Sequence, residues 1–197
     1  MFYLLTVTTG VVLITLGNFF GGSERQLADA VELLFLTLLG VAAVFIVDAV
    51  MALIARRLPE RWFLPEARLF AVGKRERSFY RWTRINTWKK YVPEWGCFTG
   101  FHKDKLQDAS DSAYLGRFLL ESNYGVAGHV AGALAGYLIL LIPVLPTLTV
   151  ALPVAAINML LSLLPTMVLR YNTAPLRRLY RRSVERKANQ QEKTVTA

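Results

Sequence analysis

Cysteine is nearly missing from this chain: Cys97 is the only one in 197 residues. A lone thiol excludes an intrachain disulfide. Its surroundings are rich in Lys and Arg, which points to the cytosol, where a free thiol is ordinary. An acyl-Cys intermediate is the functional alternative to an inert side chain there. Charge is missing too, and in blocks. Phe2 to Gly22 has none, Leu33 to Ala55 has only Asp48, Val126 to Val144 has only His129, and Thr147 to Leu169 has none. Between Phe118 and Arg170 the one acid is Glu121 and the one histidine is His129. A basic leader is also lacking before the first block, whose apolar run exceeds that of a signal peptide, so it reads as a retained helix. There are no repeats and no low-complexity segments.

What is present is apolar: 54% of the residues are hydrophobic. Each uncharged block is about 20 residues, enough to cross a hydrocarbon core of roughly 30 Å as a helix. Helices of a soluble bundle would show a polar face at every third or fourth position, and "VTTGVVLITLGNFF" shows almost none. The expectation is one membrane domain, an all-α integral membrane protein with four transmembrane helices at about 2–20, 33–55, 126–144 and 147–169.

Apart from Arg25, every Lys and Arg lies in residues 56–117 or in the tail 170–197. The positive-inside rule makes both regions cytosolic, with both termini on the cytosolic side of a bacterial inner membrane. Such cations set topology and touch anionic lipid. They sit where helices leave the bilayer, so nucleic acid is not an expected partner. Within 56–117, aromatic and basic residues alternate, as in "RSFYRWTRINTWKK". This pattern suits an amphipathic interfacial helical segment, with rings at headgroup depth and cations reaching outward. "LPERWFLP" reads as a Pro-bounded turn. "DKLQDASDSAYLGRFLLE" reads as a helix start capped by Asp or Ser. The final "ERKANQQEKTVTA" is expected to fray.

Two readings are open for His129. It hydrogen-bonds a neighbouring helix, or it is a general base for a hydroxyl, since an imidazole titrates near neutral pH. Glu121 lies eight residues earlier, about 12 Å along a helix and 80° around it. It therefore binds substrate or pairs with a cation rather than orienting the imidazole. In "LRYNTAPLRRL", Arg170, Tyr171 and Asn172 leave the last helix at the same face. Pro165 and Pro175 bracket them, so irregular backbone is expected. Arg170 either binds an anionic headgroup or donor or pairs with Glu121. Asp48 is a functional candidate as an intramembrane acid, or pairs with an Arg near the helix end. Asn158 reads as helix–helix glue.

"RLPERWF" at 57–63, "FYRWTRINTWKKYVPE" at 79–94, "ES" at 121–122 with His129, and "RYN" at 170–172 form an ordered set. It resembles the glycosyl-4,4′-diaponeurosporenoate acyltransferase family, which completes staphyloxanthin synthesis. The resemblance implies transfer of a fatty acyl group to a hydroxyl of a membrane-embedded glycolipid, in that family the glucose 6-hydroxyl of a carotenoid glycoside. It implies His129 and Glu121 as catalytic residues, and Trp88, Lys89, Lys90, Glu94, Arg170, Tyr171 and Asn172 around substrate and donor. No bound cofactor or metal is expected. The donor is acyl-CoA or an acyl carrier protein, with the basic cluster on its phosphates. One departure is Val126, where the family pattern has a second Glu three residues before the His. A non-enzymatic membrane adaptor or lipid-binding subunit, and a small dimeric transporter with Asp48 and Asn158 inside, are the alternatives.

Overall fold

The computed structural model describes residues 2–21, 27–92 and 108–195. Their regular structure is helical throughout. The α-helices are α1 (Phe2–Gly21), α2 (Leu27–Arg57), α3 (Lys74–Trp82), α4 (Ile85–Trp88), α5 (Ser112–Ala135) and α6 (Leu152–Val195). Four helical stretches are long and apolar enough to cross a membrane: Tyr3–Gly21, Asp29–Arg57, Ser112–Leu141 and Thr147–Lys193. Contacts gather the chain into two units. One holds Met1–Arg57 with Ala127–Pro165, the other Leu58–Val126 with Thr166–Ala197.

The first unit is built from α1, α2, the end of α5 and the first part of α6. Its core includes Ile14, Leu36, Val44, Ile139, Val150 and Val154. Lipid is as apolar as leucine, so close packing through small residues must hold such helices together. Gly128, Gly132 and Gly136 recur every four residues along one face. A Cβ at Gly132 would stand 2.5 Å from the Asp48 carboxylate, and one at Gly136 would stand 2.9 Å from the Asn158 amide. The glycines leave room for a polar bridge, in which Asn158 Nδ2 donates to Asp48 Oδ1 at 3.1 Å. Asn158 is thus the expected glue, and Asp48 meets this amide. A small apolar crevice beside it, lined by residues such as Val11, Val44 and Ile157, measures about 30 Å³.

The third apolar block departs from a plain helix. Its α-helix begins at Ser112, well before Val126, and gives way to a 3-10 turn over Gly136–Leu141. A π-turn over Thr147–Ala151 then leads into α6. The break expected near Pro165 is absent, because α6 runs unbroken to Val195. A proline inside a helix leaves the carbonyl four residues earlier without its donor. Pro165 orphans Leu161, whose carbonyl accepts from the Tyr3 hydroxyl at 2.6 Å. Pro153 does the same to Thr149, whose carbonyl accepts from Asn18 Nδ2 at 2.8 Å. Two polar side chains of α1 therefore satisfy the carbonyls freed by Pro153 and Pro165 and fix the register of α1 on α6, while the third proline, Pro175, also leaves the helix unbroken. The tail expected to fray is helical through Val195.

The second unit has a smaller core of Leu115, Phe118, Leu119 and Leu176, edged by Tyr114, Leu179 and Tyr180. Asp111 caps α5: its carboxylate accepts from the N–H groups of Ala113 at 2.9 Å and Tyr114 at 3.3 Å. Asp108 accepts from the backbone N–H groups of Ser110 and Asp111 just before it. The "LPERWFLP" turn is a 3-10 turn over Glu60–Trp62. It is tied to α5 by Asn123, fully buried, whose Nδ2 donates to the Phe63 carbonyl at 2.8 Å. The Tyr124 ring stacks on Phe63 with centroids 4.2 Å apart. Outward from this unit stand Leu69, 77% exposed, and Trp82, 79% exposed, with Phe79 and Trp62 about half exposed.

Candidate functional site

In "KRERSFYRW" the side chains of Glu76 and Tyr80 are four residues apart, so they share one face of α3. The Tyr80 hydroxyl donates to Glu76 Oε1 at 2.5 Å. Arg170, on α6, closes a fork on the same carboxylate. Its Nε donates to Oε1 at 2.5 Å and its Nη2 to Oε2 at 2.8 Å. The same Nη2 reaches the Ala71 carbonyl at 3.3 Å, while Nη1 stays outside these bonds. Bidentate pairs of this kind are strong and fix orientation. Burial pushes the Glu76 carboxyl up, but the Arg170 and Tyr80 hydrogen bonds and the Arg170 charge outweigh it. Together they hold the group below the usual carboxylate range. Burial, then the neighbouring carboxylate, push the Tyr80 phenol well up, so it remains a neutral donor.

A left-handed corner brings α4 to this cluster. Arg84 has φ 51°, the one non-glycine residue with positive φ among the described residues. That conformation costs a side-chain-bearing residue about 1–2 kcal/mol. Neighbouring bonds offset it: Thr83 Oγ1 donates to the Tyr80 carbonyl at 2.9 Å and Thr87 Oγ1 to the Arg84 carbonyl at 2.8 Å. Trp88 Nε1 donates to the Thr83 carbonyl at 3.0 Å. The chain beyond the corner presents Asn86, whose Nδ2 donates to the Tyr171 hydroxyl at 3.0 Å. It also presents Lys89, whose ammonium lies 5.2 Å from the centre of the Tyr171 ring. Tyr171 meets Tyr80 edge-on at 6.3 Å.

The second unit therefore brings together Arg170, Tyr171 and Lys89, with Trp88 bracing the corner beneath them. Lys90 turns elsewhere, its ammonium 5.0 Å from the Tyr91 ring. Asn172 is half-buried on α6 next to Tyr171. The acid that meets Arg170 is Glu76, which corrects the expected pairing with Glu121. Glu121 is buried within the second unit. His129 is half-buried in the first unit, on the glycine-striped turns of α5. Both lie on that one helix, at the eight-residue spacing read from the sequence. Glu94 lies outside the described residues, as do Trp95 and Cys97.

Glu76, Tyr80 and Asn86 carry this site and escaped the sequence reading. One signal pointed to the first. Glu76 is the only acid between Glu66 and Glu94, in a stretch crowded with Arg and Lys. A solitary carboxylate there has many cations to serve, and its i+4 neighbour is a tyrosine. Asn86 could not be found this way, because the corner at Arg84 that aims it depends on tertiary contacts.

No curated protein and no solved structure matches the chain. The sequence model of one family does match, over residues 59–182, more than half of the chain and the stretch that holds every described residue of this cluster. With the ordered motifs and the four apolar helices, that match makes the chain a member of the glycosyl-4,4′-diaponeurosporenoate acyltransferase family.

Proposed function

We propose that this chain is a membrane acyltransferase. It moves a fatty acyl group from a thioester donor to a hydroxyl of a glycolipid or carotenoid glycoside, at the cytosolic membrane face. Family membership carries this reading. The apolar helices give the acceptor its lipid environment, and the aromatic and basic second unit gives the donor a polar one. Both basic regions and both termini are cytosolic in this reading. Trp62, Phe79 and Trp82, exposed on the second unit, sit among headgroups.

The chemistry assigns the roles. His129 takes the proton of the acceptor hydroxyl, and the oxygen attacks the thioester carbonyl. The carbonyl oxygen becomes an anion, which a fixed hydrogen-bond donor stabilises. Collapse forms the ester and expels the thiolate, and the proton on His129 returns to sulfur. Glu121 binds the polar end of the acceptor. Glu76 and Tyr80 hold the Arg170 fork still, so that Nη1 faces the ligand without a search over rotamers. Asp48 and Asn158 serve helix packing here. A transporter would need them turned to a pore, and instead they bond to each other.

Lipid extracts from cells with and without the chain, compared by mass, test the function. The expected result is a glycolipid heavier by one fatty acyl group, absent when His129 is replaced. Identical extracts would overturn the reading.

A further inference from the structure

The arginines of α6 do more than hold Glu76. Residues 170, 177 and 181 fall within about 20° of one direction around the helix, so their side chains form a stripe. All three belong to the second unit and meet its segment 66–76. Arg170 has Glu76. Arg181 has Glu66, 3.7 Å away, with both side chains mostly exposed. Arg177 stands between them with no carboxylate within 4.0 Å among the described residues. Its Nη2 donates to the Ala67 carbonyl at 2.8 Å. Its Nε is buried and has no hydrogen-bond partner.

A half-buried guanidinium with an unmet donor, whose neighbouring acid Glu66 is already paired with Arg181, is an unfavourable arrangement in a chain left to itself. Three guanidiniums share two carboxylates, so one positive charge is left over on the stripe. Moving the Arg177 side chain into water would relieve the cost, and the structure instead pins it against Ala67. A counter-anion from outside, meeting the guanidinium nitrogen that Ala67 does not take, supplies the missing charge. The planar fork of Arg suits phosphate oxygens, and two such forks along one helix face suit a phosphate better than a point contact would.

We propose that Arg177, with the Nη1 group of Arg170, forms a binding site for a phosphate ester. This rests on the acyltransferase reading for its purpose, which is to hold the phosphate of the acyl donor. The same chemistry is offered by the phosphate of a lipid headgroup, and the test separates the two sources. Arg177 is a binding residue in this proposal and takes no part in the chemical step.

The test uses the full chain in nanodiscs of phosphatidylcholine, with coenzyme A as the soluble probe, and in parallel nanodiscs containing phosphatidylglycerol. Equilibrium binding of coenzyme A and the melting temperature are read for the parent chain, for Arg177→Gln and for the exposed neighbour Arg178→Gln. A charge-assisted hydrogen bond lost at a ligand corresponds to roughly 10- to 100-fold in affinity. That loss of coenzyme A binding in Arg177→Gln, with Arg178→Gln unchanged, assigns a soluble phosphate. A melting shift with phosphatidylglycerol that only Arg177→Gln abolishes assigns a lipid phosphate. Equal responses from Arg177→Gln and Arg178→Gln to both probes overturn the site. Should Arg177→Gln fail to fold, Arg177→Lys decides, because it keeps a donor for Ala67 and loses the fork. Severalfold weaker binding supports the site, and unchanged binding overturns it. Acyl transfer is assayed on the same samples. Phosphate binding that depends on Arg177 without any acyl transfer sinks the enzyme reading alone. Acyl transfer with phosphate binding indifferent to Arg177 sinks this site alone.

Discussion

The two units are held together by different physics. In the first, the faces turned away from its core are apolar: Leu5, Leu13, Phe35, Ile46, Leu53 and Leu134 are all more than half exposed. Such a surface gains nothing by collapsing in lipid, so cohesion comes from shape. Glycines at 128, 132 and 136 admit Asp48, Asn158 and the backbone at Ala52. In the second, long polar side chains reach backbone. Arg170 finds Ala71, Arg177 finds Ala67, Asn123 finds Phe63, and Ser183 finds the Ser110 carbonyl. One unit should be sensitive to added volume and the other to lost charge.

The largest effect expected from that contrast is at Gly132. Replacing it with Leu drives atoms into the Asp48 carboxylate and the α2 backbone, and overpacking of this kind costs about 1–3 kcal/mol or more. The melting temperature in detergent should collapse. Gly17→Ala, in the same unit but with no atom within 4 Å of its new methyl, should raise stability by up to about 1 kcal/mol. If both glycines respond alike, shape complementarity does not hold the first unit.

Arg170→Ala comes next. It leaves the Glu76 carboxylate partly buried without its fork, at a cost of about 1.5–3 kcal/mol. Arg170→Lys should recover only part of this, because an ammonium cannot make the paired bonds. Denaturant melts of the three proteins measure it. A full recovery by Lys would show that charge alone matters.

A smaller signature is pH dependence. Glu76 has its folded pKa lowered, so its stabilisation is fully present above the ordinary carboxylate value, about 4.3. It is lost as the pH falls through the lowered folded value. The melting temperature should be level from pH 8 to 5 with respect to this group and fall below about pH 4. Glu76→Gln should flatten part of that fall. The weakest effect is expected at Lys187, whose pair with Asp111 at 3.1 Å is about half exposed. Lys187→Ala should leave the melting temperature close to the parent's, because exposed pairs are screened by water and salt.

The four apolar helices were legible in the sequence because lipid imposes a length and a composition on anything that crosses it. So was the cap at Asp111. The continuity of α6 was not, because a proline reads locally as a break. The groups that satisfy the freed carbonyls, Tyr3 and Asn18, lie more than 130 residues away along the chain. The glycines at 128, 132 and 136 stand four residues apart, a helix-packing spacing that the sequence itself displays. In the site, Arg170, Tyr171 and Lys89 were visible through ordered motifs. Their partner Glu76 lies outside those motifs, Tyr80 and Asn86 lie inside one that does not single them out, and the role of Asn86 arises from the corner at Arg84.

The central claim is that this family member performs acyl transfer with His129 as its base, and one substitution meets it directly. Turnover of purified His129→Ala is measured beside its melting temperature. Removal of a general base costs typically 10²–10⁴-fold in rate. The account predicts a loss of that size with a melting temperature close to the parent's, and the same loss in His129→Gln, which keeps one hydrogen bond. Near-normal turnover in either variant would contradict the account and leave His129 as a packing residue.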